Sequence, residues 1–260
     1  GIQADIKTIS ALGGYAASAI TAVTVQNTVG VRAVHVVPAE IVCGQIEAVM
    51  EDLHPDAVKI GMVSEEETVR AIADCLRKFR PEHVVYDPVM VSTSGRKLMN
   101  DAAIEIIKKE LFPLTTLLTP NLDEVEVLTG KKIVVLEDMQ QVARELSAIY
   151  RTAVLIKGGH WPGDEMQDIL CADGNLFIYK EKKIVSKNLH GTGCTLSSSI
   201  ATYLALGYTM NEAVGKAKNY LSKAIDAGKE IVAGKGNGPL CHFWNPEKAQ
   251  IIDDKADRIE

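Results

Sequence analysis

The chain has 260 residues, 47% of them hydrophobic, enough to bury one large core and with no reason for a second. A formal net charge of −6, with no run of lysine or arginine, supplies no basic field for a polyanion and excludes nucleic acid as an expected partner. No apolar run approaches the roughly 20 residues of a membrane span, and the opening GIQADIK lacks the layout of a secretion signal, so a soluble cytoplasmic protein with no membrane partner is expected.

Apolar periodicity predicts a helix from Ile2 to Leu12, extended chain from Tyr15 to Val25, a helix from Ala39 to Leu53 and a short buried strand from Ala57 to Ile60. The rhythm continues with helix Glu65 to Phe79, strand His83 to Tyr86, helix Asp101 to Leu111, strand Thr115 to Leu118, helix Leu122 to Leu128, helix Glu137 to Tyr150 and strand Ala153 to Lys157. Strands separated by helices of this length imply βαβ crossovers, hence an α/β fold with a largely parallel sheet covered on both faces. From Asp168 to Val185 the pattern changes to strand, Asp173-Gly174-Asn175 turn and strand, an antiparallel hairpin at the sheet edge. Helices Thr192 to Leu206 and Asn211 to Val232 follow, and no linker, repeat or low-complexity segment divides residues 1–260 into more than one domain.

Ligands of such sheets gather at the carboxyl ends of the strands. The polar residues expected on that rim are Gln26 and Asn27, Gly61 and Met62, Asp87, Asn121 and Glu124, and Lys157-Gly158-Gly159, with the turn at Gly191 beside them. In HGTGC, the glycines let a ligand approach the unpaired N–H groups of a helix start, which makes Gly191, Thr192 and Gly193 either an anion cradle or simply a helix entry capped by Thr192. Cys194 in that first turn is either a thiol whose pKa the helix end lowers, able to serve as base or nucleophile, or a buried inert thiol. Asn121 and Glu124 stand three apart, able to hold magnesium through water or to act as an ordinary helix cap. Asp87, before Pro88, is a metal or phosphate device or a loop cap, and Lys157 a phosphate ligand or a solvated lysine. His160 and His190 have no carboxylate or cysteine at catalytic spacing, so both are read as structural, and the charged tail from Asn245 to Glu260 as a solvated or frayed end. Cys43, Cys75, Cys171, Cys194 and Cys241 form no CxxC pair, the usage of a reducing compartment, and Cys43 and Cys75 are read as small hydrophobes on helices.

Taken in order, GIQADIKTISALGGYAASAITAVTVQNT, KIGMV, DPVMVSTSG, TPNLDEVEVLTG, KGGH, HGTGCTLSSSIA and GKGNGPLCHF resemble the ribokinase superfamily, and within it the hydroxymethylpyrimidine/phosphomethylpyrimidine kinases of thiamine biosynthesis, over nearly the whole chain. The resemblance implies a ribokinase-like three-layer αβα sandwich, ATP and Mg2+ as cofactors, a small pyrimidine as substrate and a homodimer. It implies that Gly1, Asp5 and Gln26 meet the aminopyrimidine with Met62 and Val89 packing on its ring. Asp87 and Glu124 would serve magnesium, Asn121 and Lys157 the nucleotide, and Gly191 to Gly193 the transferred phosphoryl group. Most of the superfamily ends this turn in an aspartate base; here, as in the pyrimidine kinases, the position is Cys194. Relatives carry a first strand and a Gly/Ser-rich loop before GIQAD, so roughly 15 to 20 further residues are expected upstream of Gly1. Two rivals remain. A pyridoxal kinase of the same superfamily would carry a second cysteine in the lid, which STSGRKLMN lacks, and a non-catalytic pyrimidine-binding module would keep the pocket without turnover.

Overall fold

The computed structural model describes residues 1–90, 99–159 and 163–250. His160, the tail from 251 onward and most of the STSGRKLMN segment lie outside the described residues.

The sheet is built from β3 (Ala57–Ile60), β4 (His83–Tyr86), β5 (Leu117–Leu118), β6 (Ala153–Ile156), β7 (Glu165–Ala172) and β8 (Asn175–Lys182), adjacent in that order. Strands β3 to β6 run parallel; β6–β7 and β7–β8 are antiparallel, so the expected edge hairpin is present. Side chains of successive strand residues point to opposite faces, and the core divides accordingly. Val84, Tyr86, Leu118, Val154, Ile156, Ile169 and Cys171 enter one buried cluster, and Val85, Leu117, Leu155, Leu170 and Ala172 the other. The first cluster is closed by α2 (Ala39–Asp52), α3 (Glu66–Phe79), α4 (Asp101–Ile106), α5 (Leu122–Thr129) and α6 (Leu136–Tyr150), the second by α7 (Thr192–Ala205) and α8 (Met210–Gly228). Helix α1 (Ile2–Ala11) packs on α7. The result is the expected three-layer αβα architecture, and no described helix is long and apolar enough to cross a membrane.

The extended stretch at Tyr15 to Val25 is the main correction. Its ordered part is β1 (Ala22–Asn27), which pairs antiparallel with an unforeseen β2 (Gly30–Val36) in a separate two-stranded sheet. Asn27 Oδ1 accepts from the Val29 and Gly30 N–H groups and turns the chain back. Gln26 and Asn27 are therefore strand residues at a hairpin end and do not follow a strand of the main sheet, as the rim assignment required. The hairpin is anchored at both ends. Thr21 Oγ1 donates to the Met62 carbonyl (3.3 Å), and Thr28 at the tip accepts from the Gly236 and Asn237 N–H groups.

Smaller differences have local causes. The helix expected over Asp101 to Leu111 is α-helical to Ile106 and widens to a π-turn over Ile107–Leu111 before Pro113. Strand β5 starts two residues late because the Thr116 side chain takes the ladder position, bonding both the N–H and the carbonyl of Val84. Helix α8 stops at Gly228, where buried Asn188 donates to the Gly228 and Ile231 carbonyls. Cys43 and Cys75 face each other across α2 and α3 at 3.3 Å, and burial with the neighbouring thiol pushes Cys75 up to about 12, the behaviour of inert packing thiols.

Candidate active site

The parallel ladder itself aligns the rim. The Asp87 N–H donates to the Ile60 carbonyl (2.9 Å), Thr119 to Tyr86 (3.0 Å) and Lys157 to Pro120 (2.9 Å), so residues just past β4, β5 and β6 stand side by side. Asp87, 2% exposed, accepts on one oxygen from Lys157 Nζ (2.7 Å) and Thr119 Oγ1 (3.0 Å). Burial pushes the Asp87 carboxyl up, but Lys157 and Lys59 outweigh it and hold it below the usual carboxylate range. Burial likewise works against the Lys157 ammonium and is overcome by Asp87 and Glu124, so Lys157 stays charged.

Asn121 caps α5 in a reciprocal box: the Glu124 N–H donates to its Oδ1 and its own N–H to Glu124 Oε2, both at 2.8 Å. Glu124 is a cap, as one of its two readings held, yet it is also buried and accepts from the Met90 N–H. Burial raises its pKa to about 7, with Lys157 opposing and Asp87 reinforcing the rise.

The turn before α7 reaches this pair directly. Gly191 caps the helix at φ 88°, a left-handed conformation suited to glycine. A Cβ built on Gly193 would lie 3.1 Å from Asp87 Oδ2 and 3.7 Å from Lys157 Nζ, so only glycine lets the turn close on them without displacement. Helix geometry leaves the N–H groups of Gly193 and Cys194 without partners inside the helix. Gly1 N lies 3.3 Å from the Cys194 sulfur. The chain beyond α8 buttresses the turn from below. Gly238 accepts from the His190 N–H (3.3 Å), and buried His242 meets Thr195 Oγ1 at 3.1 Å. Burial pushes His242 down to about 4, so it is a neutral structural group.

Asp5 on α1 joins the same neighbourhood. Its Oδ1 accepts from Lys59 Nζ (2.9 Å) and from Ser198 Oγ (2.6 Å), one helical turn below Cys194. Lys59 is a residue of this neighbourhood that sequence reading missed, because it stands inside the apolar run VKI where a lysine reads as an edge exposure. Buried with 6% of its side chain exposed, it is pushed down by desolvation but raised further by Cys194, Asp5 and Asp87. A lysine at the centre of a short buried strand was the available signal.

The structure thus brings together Gly1, Asp5, Asp87, Asn121, Glu124, Lys157 and Gly191 to Cys194. Val89 is half-buried just beyond Asp87, its N–H on the Asp87 carbonyl (2.9 Å), and Met62 lies at the hairpin base. Gln26 is exposed on the hairpin, accepting from Thr24 Oγ1. His190 has an exposed side chain and a backbone role, as expected.

The arrangement combines a helix-start anion cradle, two partly buried lysines, two buried carboxylates and a thiol, the equipment for moving a phosphoryl group. Comparison with known proteins agrees. Residues 1–241 match the model of the family described as phosphomethylpyrimidine kinase. The chain is 51% identical over 246 residues, 94% of its length and 91% of the relative's, to the hydroxymethylpyrimidine/phosphomethylpyrimidine kinase of Rhizobium meliloti. It superimposes on the crystal structure of phosphomethylpyrimidine kinase from Clostridium difficile with a TM-score of 0.78 at 47% identity, covering 86% of this chain and 93% of that one. Pyridoxal kinase from Staphylococcus aureus in complex with ADP gives a TM-score of 0.86 at 31% identity, covering 95% and 90%. This chain belongs to the phosphomethylpyrimidine kinase family.

Proposed function

We propose that the chain transfers a phosphoryl group from ATP to the hydroxymethyl oxygen of 4-amino-5-hydroxymethyl-2-methylpyrimidine, and a second one to the resulting monophosphate, as in thiamine biosynthesis. The observation that carries this reading is the closure of the Gly191–Cys194 turn on the Asp87–Lys157 pair, in a chain of this family.

In this mechanism the Gly193 and Cys194 N–H groups hold the transferred group, and Lys157 neutralises the nucleotide phosphates. Asp5 orients the pyrimidine. Its two observed bonds both fall on Oδ1, so Oδ2 is the atom that would accept from the substrate's amino group. Met62 and Val89 would pack on the ring, and Gln26 would reach it from the hairpin. Cys194 takes the proton of the attacking alcohol in the first transfer. The second acceptor is a phosphate already ionised, so no base is needed there.

Magnesium, when bound, would offset the negative charge of the phosphates. The donors suit it: Asp87 and Glu124 offer hard carboxylate oxygens. Among the described residues no group of three acidic, histidine or cysteine side chains could hold a metal, so Asp87 and Glu124 are the protein groups that would hold the ion. A homodimer is supported by Val23, Val25, Val29, Val31 and Val34, all exposed on a two-stranded ribbon of a kind that is marginal alone. Free cysteines, in a kinase that draws on ATP, fit the cytoplasm.

The test is ATP consumption with hydroxymethylpyrimidine, its monophosphate and pyridoxal in parallel. Turnover of both pyrimidines is expected. Binding without turnover would make the chain a pyrimidine-binding module, and faster turnover of pyridoxal would make it a pyridoxal kinase.

A further inference from the structure

A buried ion pair lies behind the rim, outside the site described above. Asp168 on β7 and Lys218 on α8 are each 5% exposed and meet at 2.7 Å. Lys218 also reaches Glu181 on β8 (3.2 Å), which accepts from Ser222 Oγ (3.1 Å). Two charges removed from water in this way are weak contributors to stability, and apolar replacements of similar volume are commonly tolerated. The pair therefore calls for an explanation other than holding the fold together.

The second oxygen of Asp168 supplies one. Strand β6 pairs with β7 as far as Ile156 opposite Ile169 and then leaves the sheet. Two residues on, the Gly158 N–H donates to Asp168 Oδ1 at 2.8 Å. Gly158 is buried so tightly that a Cβ there would collide with the Gln167 carbonyl oxygen. On the other side, the Lys157 N–H is fixed to the Pro120 carbonyl at 2.9 Å, and Lys157 Nζ to Asp87 at 2.7 Å. The peptide bonds on either side of Lys157 are thus held, the one before it by Pro120 just past β5 and the one after it by the Asp168 carboxylate. Lys218 fixes that carboxylate through its other oxygen, so one oxygen is left facing the turn.

We propose that Asp168, oriented by Lys218, is a positioning residue for nucleotide binding: it sets the Lys157-Gly158-Gly159 turn so that the lysine and the glycine backbone meet the phosphates. This rests on the proposed function only in taking that turn as a phosphate contact. The function of Asp168 is to accept the Gly158 N–H, and its charge serves to be held by Lys218. An acceptor of the same shape without charge therefore suffices once Lys218 is also neutral.

The experiment compares two double variants of the full chain. Asp168→Asn with Lys218→Met keeps an oxygen for Gly158 and removes both charges; Asp168→Leu with Lys218→Met removes charges and acceptor while filling the volume. Affinity for a non-hydrolysable ATP analogue is measured by calorimetry, with KM for ATP and for the pyrimidine and a thermal melt for each variant. The Asn/Met protein is expected to bind the analogue within about threefold of wild type. The Leu/Met protein is expected to bind it about tenfold more weakly, the loss of one oriented hydrogen bond, with the pyrimidine KM unchanged. Equal analogue affinity in the two variants overturns the proposal, as does a pyrimidine KM that moves as far as the nucleotide's. If the Leu/Met protein does not melt cooperatively, Asp168→Ala with Lys218→Met, which removes the charges and the acceptor with a smaller side chain, takes its place with the same expected tenfold loss. A wild-type chain that binds the analogue but consumes no ATP with either pyrimidine refutes the proposed function alone, and the variant pair still decides the role of Asp168.

Discussion

Replacing Glu124 with glutamine should stabilise the ligand-free protein at alkaline pH and not at acidic pH. Glu124 is 2% exposed, and its pKa rises from 4.5 to about 7, chiefly by burial. The native state therefore holds a proton that the unfolded chain releases between these values. Folding stability falls as pH rises across that window, by about 1.4 kcal/mol per pH unit and about 3 kcal/mol in all, and levels off above the folded pKa. Glutamine has nothing to ionise and escapes that loss. It does present an amide NH2 to one of two backbone donors, Asn121 and Met90, which costs about 1 kcal/mol at any pH. The net expectation is a loss of about 1 kcal/mol at pH 4.5 and a gain of about 2 kcal/mol at pH 8.5. Urea unfolding of both proteins at the two pH values, with chelator present to exclude divalent ions, measures this directly. An identical difference at both pH values would falsify the reasoning, because the burial cost of the ionised carboxylate would then be absent.

Other expectations concern the turn and its partners. Cys194→Ala should slow phosphorylation of the pyrimidine alcohol by about a hundredfold or more, the usual worth of a general base, yet leave phosphorylation of the monophosphate within a few-fold; steady-state rates with each acceptor decide it, and equal losses would remove the thiol's role as base. Lys157→Met strands the buried Asp87 charge and should destabilise the protein by about 3 kcal/mol in denaturant at neutral pH, a loss that the additional change Asp87→Asn should largely reverse. An unrestored double variant would mean that packing by the lysine stem dominates. Gly158→Ala should cost about 2 kcal/mol in the same assay, since its Cβ meets backbone that cannot swing away. A neutral outcome would contradict the close approach of Gly158 to β7.

Much of the fold was legible because its signals are local. Helix α3 carries apolar residues at Val69, Ile72, Ala73 and Leu76 on one buried face, and β4 ends where His83 to Tyr86 gives way to Asp87-Pro88. The glycine turn at Gly191 and the Asn121–Glu124 cap were equally visible, since a cap is decided within four residues. Strand β2 was overlooked although Asn27 and Gly30 mark the turn before it, because its burial pattern is exposed almost throughout and carries little alternation. Lys59 and Asp168 were passed over for the opposite reason. A charged residue inside a buried strand makes sense only through its partners, and those come from α1 and α8.

By itself, then, the sequence determined the alternation of strands and helices, the two apolar faces of the sheet and the glycine-bearing helix start, each set by steric and hydrophobic preferences over a few neighbouring residues. Tertiary structure alone decided what those features do together. Lys157 finds Asp87 70 residues away, and Ser198 finds Asp5 193 residues away. Whether Asp87 and Glu124 are ordinary caps or strongly perturbed carboxylates depends on their burial and on which cations share it, a property of the packed sheet rim that no stretch of chain contains.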